Sequence, residues 1–355
     1  MNRTYSLSLA GYIRCYPYRI CLAASAIVTS GTIQIGAVGQ RPIAVLWVAG
    51  HDRRTIGIAL SKLLKPLHTL ITRESVNGGL IAARVRRSPL TYFALTFALS
   101  IPFWVAGALT TFQLLPALPV SALGLLCMTG GASILVYRER GFSGVAELLK
   151  RSFDFKRVKA KAWYVPVILL MPCIMVLSFV AMRLTGVALP APQFPFSTPF
   201  ILFVVFFIAA IGEELGWSGY AIDPLQDRFG ALGGALLLGV VWAVWHFIPL
   251  LEAQRSPVFI AWWSLGTVAS RIVITWLYNN TGKSVFVAIL FHAMINVTWQ
   301  LFPVNGSYYD PKVTGLITAG VAVVVVVIWG PTTLVRARNS RRSAGHEAVS
   351  IAIDD

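Results

Sequence analysis

About eight apolar runs follow one another between Leu90 and Val335, each close to the roughly 20 residues that a helix needs to cross the hydrocarbon core of a bilayer. The chain has 56% hydrophobic and 12% charged residues and a mean hydropathy of +0.71, whereas a soluble domain carries about 25% charged residues. An ordinary soluble domain is therefore excluded. The sequence predicts an all-α, polytopic transmembrane helical bundle with about eight membrane-spanning helices.

Basic residues lie mainly in the connections between these runs. The predicted spans are Leu90–Thr111, Leu115–Val136, Trp163–Leu184, Pro199–Ile222, Ala231–Leu251, Val258–Asn279, Ser284–Leu301 and Val313–Val335. Lys and Arg cluster at residues 84–87, 150–161 and 336–342. An even number of crossings places all three clusters on one side, which the positive-inside rule makes cytoplasmic.

The net charge of +16 thus indicates orientation in the lipid bilayer, and we expect no nucleic-acid partner. The predicted location is the cell (plasma) membrane, as a multi-pass protein with both ends of its membrane domain cytoplasmic. Residues 1–87 look like a poorly defined, dispensable basic N-terminal extension, within which Ile20–Gly39 could be one more span, an interfacial segment or disordered. Residues 88–335 form the predicted membrane domain and residues 336–355 a cytoplasmic tail.

Polar side chains inside three of the spans are the candidate functional residues. The fourth span contains Glu213 and Glu214, the fifth His246, and the seventh His292 and Asn296. An ionised side chain at mid-membrane depth costs at least about 2.5–3.5 kcal/mol on insertion scales, so such residues usually have a function. Neighbours on a helix point about 100° apart. We therefore expect one carboxylate to line a cavity and the other to brace a neighbouring helix.

A carboxylate in a low-dielectric site can act as a general base toward water. Imidazole and carboxamide N–H groups can hold that water and donate to a developing oxyanion. These residue types favour hydrolysis of an amide bond by directly activated water, without a cofactor. The same chemistry leaves a divalent metal such as zinc open as an alternative, held by Glu213, His246 and His292, although the HExxH arrangement is absent.

The segment Glu213 to Tyr220, the pair Trp242 and His246, and the pair His292 and Asn296 occur in this order on successive apolar runs. Together they resemble the CPBP family, the CAAX protease and bacteriocin-processing (Abi) intramembrane proteases. The resemblance covers roughly residues 89–301. It implies an eight-helix membrane endopeptidase in which Glu213 and His246 activate water while His292 and Asn296 form the oxyanion pocket.

One departure from the family pattern concerns the cation expected beside the carboxylates. The pattern is EExxxR, and the position of that arginine is Ser218 here. A buried carboxylate without its cation has to take up a proton or find another partner. We expect Arg271, an intramembrane cation on the sixth span, to replace it, with Arg228 as the second choice.

The leading functional prediction is an endopeptidase (a protease and hydrolase) that cleaves a membrane-associated protein or peptide. A second reading is a catalytically silent member of the same family that acts as a membrane scaffold or bacteriocin-immunity protein, which the missing arginine favours. A third, a proton-coupled transporter, would also use intramembrane carboxylates, but the sequence has no internal repeat of the expected kind.

Overall fold

The computed structural model describes residues 26–29, 32–35, 44–47, 88–110, 112–115 and 118–336. The chain divides into two units, Met1–Arg84 and Val85–Asp355. In the first unit, β1 (Ala26–Thr29), β2 (Thr32–Ile35) and β3 (Ala44–Trp47) form an antiparallel sheet in the order β1-β2-β3. Thr29 lies opposite Thr32, and Thr32 lies opposite Trp47.

Two of these strands fall within residues 20–39, for which a membrane span was one of three possibilities. The described part of that range is strand, so a single helix across it is ruled out. Apart from β3, the rest of the predicted N-terminal extension, with the basic cluster at 84–87, lies outside the described residues, as do all but the first residue of the predicted tail.

The second unit is helical throughout most of its described length. Its α-helices are α1 (Pro89–Ala108), α2 (Leu126–Lys150), α3 (Tyr164–Leu184), α4 (Thr198–Gly216), α5 (Ile222–Trp245), α6 (Phe247–Glu252), α7 (Pro257–Asn280), α8 (Val285–Leu301) and α9 (Pro311–Trp329). A short hairpin of β4 (Gln113–Leu115) and β5 (Leu118–Pro119) leads through a 3₁₀-helix, Val120–Leu125, into α2. A single π-helical segment, Trp217–Ala221, joins α4 to α5. The predicted all-α membrane bundle is confirmed.

Capping residues fix where several helices begin. Ser88, Ser256 and Ser284 precede α1, α7 and α8, and each hydroxyl accepts a hydrogen bond from a backbone N–H in the first turn. Proline occupies the first positions of α1 and α7, where its missing N–H would have had no helical partner. These starts agree with the predicted spans to within two residues.

Six helical segments of the described chain are long and apolar enough to cross a membrane. One of them, Thr198–Glu252, has 55 residues, and a straight helix of that length would measure about 80 Å, more than twice the roughly 30 Å of hydrocarbon. It turns at Gly230, whose φ of +72° is non-helical, and Gly234 then lies against the backbone of Leu225 and Gln226. The segment therefore supplies both the fourth and the fifth predicted spans. The shorter apolar helix α8 corresponds to the seventh.

Several span boundaries differ from the prediction. The second span begins as a hairpin and 3₁₀-helix, so α2 starts only at Leu126. The fifth span breaks at His246, because Pro249 has no N–H and its ring disfavours a helical carbonyl four residues earlier. The last span ends at Trp329, where Gly330 takes up a φ of +77°.

Close packing around the end of α4 holds the intramembrane carboxylates in place. A Cβ on Gly216 would lie 2.1 Å from the hydroxyl of Tyr92 and 2.6 Å from the carbonyl oxygen of Met128. A Cβ on Gly212 would lie 2.4 Å from Leu125. The two glycines therefore let α1, the 3₁₀-helix and the start of α2 approach α4 closely.

Candidate active site

Glu213 and Glu214 lie in the last turn of α4, directly before the π-helical segment, and expose 6% and 0% of their surface. Glu213 lines a cavity of about 180 Å³ together with His246, His292 and Asn296. Glu214 is not part of the cavity wall. The two adjacent carboxylates therefore face different surroundings, as the 100° helical step predicts.

Glu213 is oriented by two indole groups. Trp242 Nε1 and Trp217 Nε1 both donate to its Oε2 atom, at 2.8 and 3.3 Å. Its Oε1 atom lies 3.9 Å from Nε2 of His292, which is beyond hydrogen-bonding distance. One carboxylate oxygen is thus engaged by the protein, and the other faces His292 across a gap.

Glu214 is enclosed in an ion pair. Arg271 donates through both terminal nitrogens, each 2.9 Å from a different oxygen of Glu214, and neither side chain is exposed. The hydroxyl of Ser218 donates to Oε2 of Glu214, and Nδ1 of His292 lies 2.9 Å from Oε1. Paired, two-pronged contacts of this kind are among the strongest that a carboxylate makes.

The replacement cation expected from the sequence is therefore Arg271. Its guanidinium also lies over the ring of Trp242, 4.4 Å from the centroid. The second choice, Arg228, stacks on Phe229 at 5.1 Å instead. Ser218, which stands where the family has arginine, adds a hydrogen bond to the same carboxylate. Arg271 thus supplies the positive charge and Ser218 a further hydrogen bond, and together they replace the family arginine.

His292 connects the two carboxylates. Its Nδ1 atom faces Glu214 and its Nε2 atom faces Glu213, while Trp242 packs edge-on at a ring-centroid distance of 5.0 Å. Asn296 lies one turn further along α8 on the same face and also lines the cavity. Its carboxamide makes no hydrogen bond to any other described residue, so its amide group is available to a bound molecule.

His246 forms the link between α5 and α6. Its Nδ1 atom is 2.9 Å from the carbonyl oxygen of Trp242, and its ring lies between Trp245 and Trp263 at 4.7 and 5.0 Å. His246 follows directly after α5 ends at Trp245, and it lines the same cavity as Glu213. No atom of its ring comes within ion-pair distance, 4.0 Å, of either carboxylate.

The residues considered as zinc ligands do not form a ligand set. Zinc binds histidine nitrogens and carboxylate oxygens at about 2.0–2.2 Å, so its ligand atoms must converge closely. Oε1 of Glu213 and Nε2 of His292 are 3.9 Å apart, and His246 has no ring nitrogen within 4.0 Å of the Glu213 carboxylate. Across the described residues, no three His, Cys, Asp or Glu side chains are grouped to hold a metal ion. The site therefore does not fit zinc on Glu213, His246 and His292.

The sequence-based prediction gives no role to the indole donors of Trp242 and Trp217. The signal is present, because an indole N–H inside an apolar segment needs an acceptor. Phenylalanine has no such donor. In this chain the tryptophan therefore has a specific contact with Glu213 that a phenylalanine could not make.

Known proteins resemble the chain in the region that carries this site. The model of the Rce1-like family, described as type II CAAX prenyl endopeptidase Rce1-like, matches residues 195–298. The CAAX prenyl protease 2 of Methanococcus maripaludis is 30% identical over 263 residues, which are 67% of this chain and 93% of that protein. The family match contains Glu213, Glu214, His246, His292 and Asn296.

Proposed function

We propose a reaction for this chain from the premise that it belongs to the CPBP family of intramembrane proteases. The reaction is hydrolysis of a peptide bond in a membrane-associated protein or peptide. The water is activated by Glu213, and no covalent intermediate forms. The observation that carries the proposal is the division between the carboxylates: Glu213 lines the cavity with His246, His292 and Asn296, while Glu214 is buried in its ion pair.

Glu213 is the proposed general base. With Oε2 engaged by two indoles, Oε1 is free to accept a proton from a water in the gap facing His292. The water oxygen then bonds to the substrate carbonyl carbon. The proton held by Glu213 passes to the leaving nitrogen as the C–N bond breaks. His246, which lines the same cavity, is proposed to help hold the water before attack.

His292 and Asn296 are the proposed oxyanion donors. Nδ1 of His292 faces the buried Glu214, and Nε2 faces the cavity toward Glu213. The Nε2–H of His292 and the free amide of Asn296 could then donate to the carbonyl oxygen as negative charge develops on it.

The mechanism uses no metal or other cofactor. A cleavage assay after dialysis against a chelator should therefore keep its rate, and restoration by added zinc after a loss would contradict the proposal. The partners are a membrane-associated substrate and the lipid bilayer, with no nucleic acid. The proposed location is the plasma membrane, with the basic residues between α2 and α3 on the cytoplasmic side.

The scaffold alternative loses its main support. It rested on Ser218 standing where the family has arginine, but Arg271 provides the cation that Glu214 needs. A site with an intact ion pair, an oriented carboxylate and a free carboxamide favours a working enzyme. The oligomeric state has no bearing on this argument.

The test is cleavage by purified protein in proteoliposomes. The probes are fluorescence-quenched peptides: one with a prenylated CAAX end, its unprenylated counterpart, and one with a transmembrane sequence. We expect the wild-type chain to cleave at least one probe and Glu213→Gln to cleave none, with mass spectrometry locating the broken bond. Equal cleavage by both proteins would contradict Glu213 as the base. An immunity phenotype that survives Glu213→Gln would favour the scaffold.

A further inference from the structure

The catalytic cavity extends well beyond Glu213 and carries a cation at its other end. Along α7 its wall runs from Ser270, next to Arg271, to Phe259 in the first turn. Arg255, in the connection between α6 and α7, lines the cavity there, with its guanidinium 4.8 Å from the ring centroid of Phe259. The basic connection between α2 and α3 contributes nothing to this wall.

Arg255 makes no ion pair with any described residue. The nearest acid in sequence, Glu252, does not pair with it: the Glu252 carboxylate lies against Gly107 and makes no hydrogen bond among the described residues. Asp310, which precedes α9, accepts the backbone N–H of Lys312 as a helix cap. An arginine that is partly buried in a mainly apolar cavity, stacked on an aromatic ring and without an acid, is poised for an anionic ligand.

We infer that Arg255 binds a carboxylate of the substrate, and that this carboxylate is the C-terminal one. A planar guanidinium matches a carboxylate with two parallel hydrogen bonds. Every peptide has one such group at its C-terminal end, whatever its sequence. The inference rests on the proposed function, because it assigns Arg255 a role in selecting the peptide that Glu213 hydrolyses. Arg255 is a specificity-determining residue and takes no part in bond cleavage.

The length of the cavity limits how far the broken bond lies from the carboxylate. Residues 259–270 of α7 span roughly 16 Å at 1.5 Å per residue. An extended peptide covers that distance in about five residues at 3.3 Å each. A peptide held by Arg255 therefore places a bond within about five residues of its C-terminus beside Glu213. Substrates with a longer segment beyond the broken bond should lose the contact.

The experiment compares one peptide as its free acid and as its C-terminal amide, in both cleavage and binding. For wild-type protein we expect KM for the acid to be about tenfold lower than for the amide. In Arg255→Gln the acid-to-amide ratio should fall to about one, and Arg255→Lys should retain part of the preference. The matched control is Arg228→Gln, which removes an arginine stacked on Phe229 outside the cavity and should keep the full ratio. Thermal unfolding of each variant in detergent checks that it is folded.

Binding separates this inference from the proposed function. Fluorescence anisotropy with labelled acid and amide peptides, measured on Glu213→Gln protein with and without Arg255→Gln, needs no cleavage. If binding shows an acid preference that depends on Arg255, while the wild-type protein hydrolyses no peptide, the carboxylate site is supported and the protease proposal fails. Equal binding of acid and amide by wild-type protein would overturn the inference. The inference would also fail if the preference for the acid persisted in Arg255→Gln, or if it depended on an internal Asp or Glu of the peptide. A third contradicting result would be that Arg255-dependent binding in proteoliposomes depends on phosphatidylglycerol and not on the peptide C-terminus.

Discussion

Two adjacent glutamates serve two different regions of the molecule. On the cavity wall, Glu213 receives two indole N–H groups on one oxygen and leaves the other oxygen toward His292. Behind that wall, both oxygens of Glu214 are occupied by Arg271, with Ser218 and His292 adding further contacts. Glu213 accepts hydrogen bonds on one of its carboxylate oxygens, whereas Glu214 accepts them on both. Burial does not distinguish the two glutamates, which expose 6% and 0% of their surface, whereas hydrogen bonding does.

The two regions are joined by His292, which faces one carboxylate with each ring nitrogen. The ion pair behind the wall fixes the ring, and the ring presents Nε2 to the cavity. Trp242 joins them a second time, because it donates to Glu213 and carries Arg271 over its ring. A change in the buried region should therefore reach the cavity through these two side chains, whereas a change at Glu213 should stay local.

Glu213→Gln should have the largest effect. Glutamine fits the same space and keeps an oxygen for the indoles, but it cannot accept a proton from water, so we expect kcat to fall by up to about 10⁴-fold. The thermal midpoint in detergent should stay close to that of the wild type. Stopped assays with the peptide that the wild-type chain cleaves measure the first quantity, and differential scanning fluorimetry the second. A strongly lowered midpoint would show that Glu213 also holds the fold.

Arg271→Ala should show the opposite balance, because its main effect should be a large loss of stability. It leaves Glu214 buried at 0% exposure without its cation, and breaking a buried pair in this way costs about 3–5 kcal/mol. Activity should fall as well, because Glu214, which contacts Nδ1 of His292, is no longer held by Arg271. Unfolding by SDS titration in mixed micelles gives the free energy of unfolding.

The double variant Arg271→Met with Glu214→Leu removes both charges and should recover much of the stability but not the activity. A fully stable, fully active Arg271→Ala protein would remove the compensation argument.

The different surroundings of Glu213 and Glu214 could be predicted from the sequence. The 100° rotation between neighbouring helical residues and the missing arginine at position 218 were sufficient. Glu213 and Glu214 had to face apart, and Arg271 was the intramembrane cation available. The break at His246 was not predicted, although Pro249 carries the signal. The contacts of Trp242 and the place of Arg255 in the cavity could not be predicted, because they depend on how helices rotate and slide against one another. Apolar periodicity leaves that register undetermined when nearly every face is apolar.

Asn296→Ala tests the cavity side by removing a donor and leaving the buried pair intact. Loss of one oxyanion donor typically lowers kcat by about 10²–10³-fold. KM should change little, because the carbonyl oxygen of the bound substrate carries little charge before attack. The ratio of kcat to KM effects, from initial rates over a range of peptide concentrations, is the measurement. An increase in KM with kcat unchanged would make Asn296 a binding residue instead. Thr298→Ala, two residues further along α8 with its hydroxyl bonded to the Met294 carbonyl, is the control.

Ser218 should give the smallest effect and the sharpest test of how the buried region is organised. Ser218→Ala removes one hydrogen bond to a carboxylate that keeps Arg271 and His292, so the loss of stability should lie near the lower end of about 1.5–3 kcal/mol. Ser218→Arg restores the family arginine but brings a second guanidinium to a position that is 3% exposed and already has its cation. We expect it to be less stable than Ser218→Ala in the same SDS titration, and rescued by Arg271→Met. A stabilised Ser218→Arg protein would mean that Arg271 only partly replaces the missing arginine, and that Glu214 still lacks a partner.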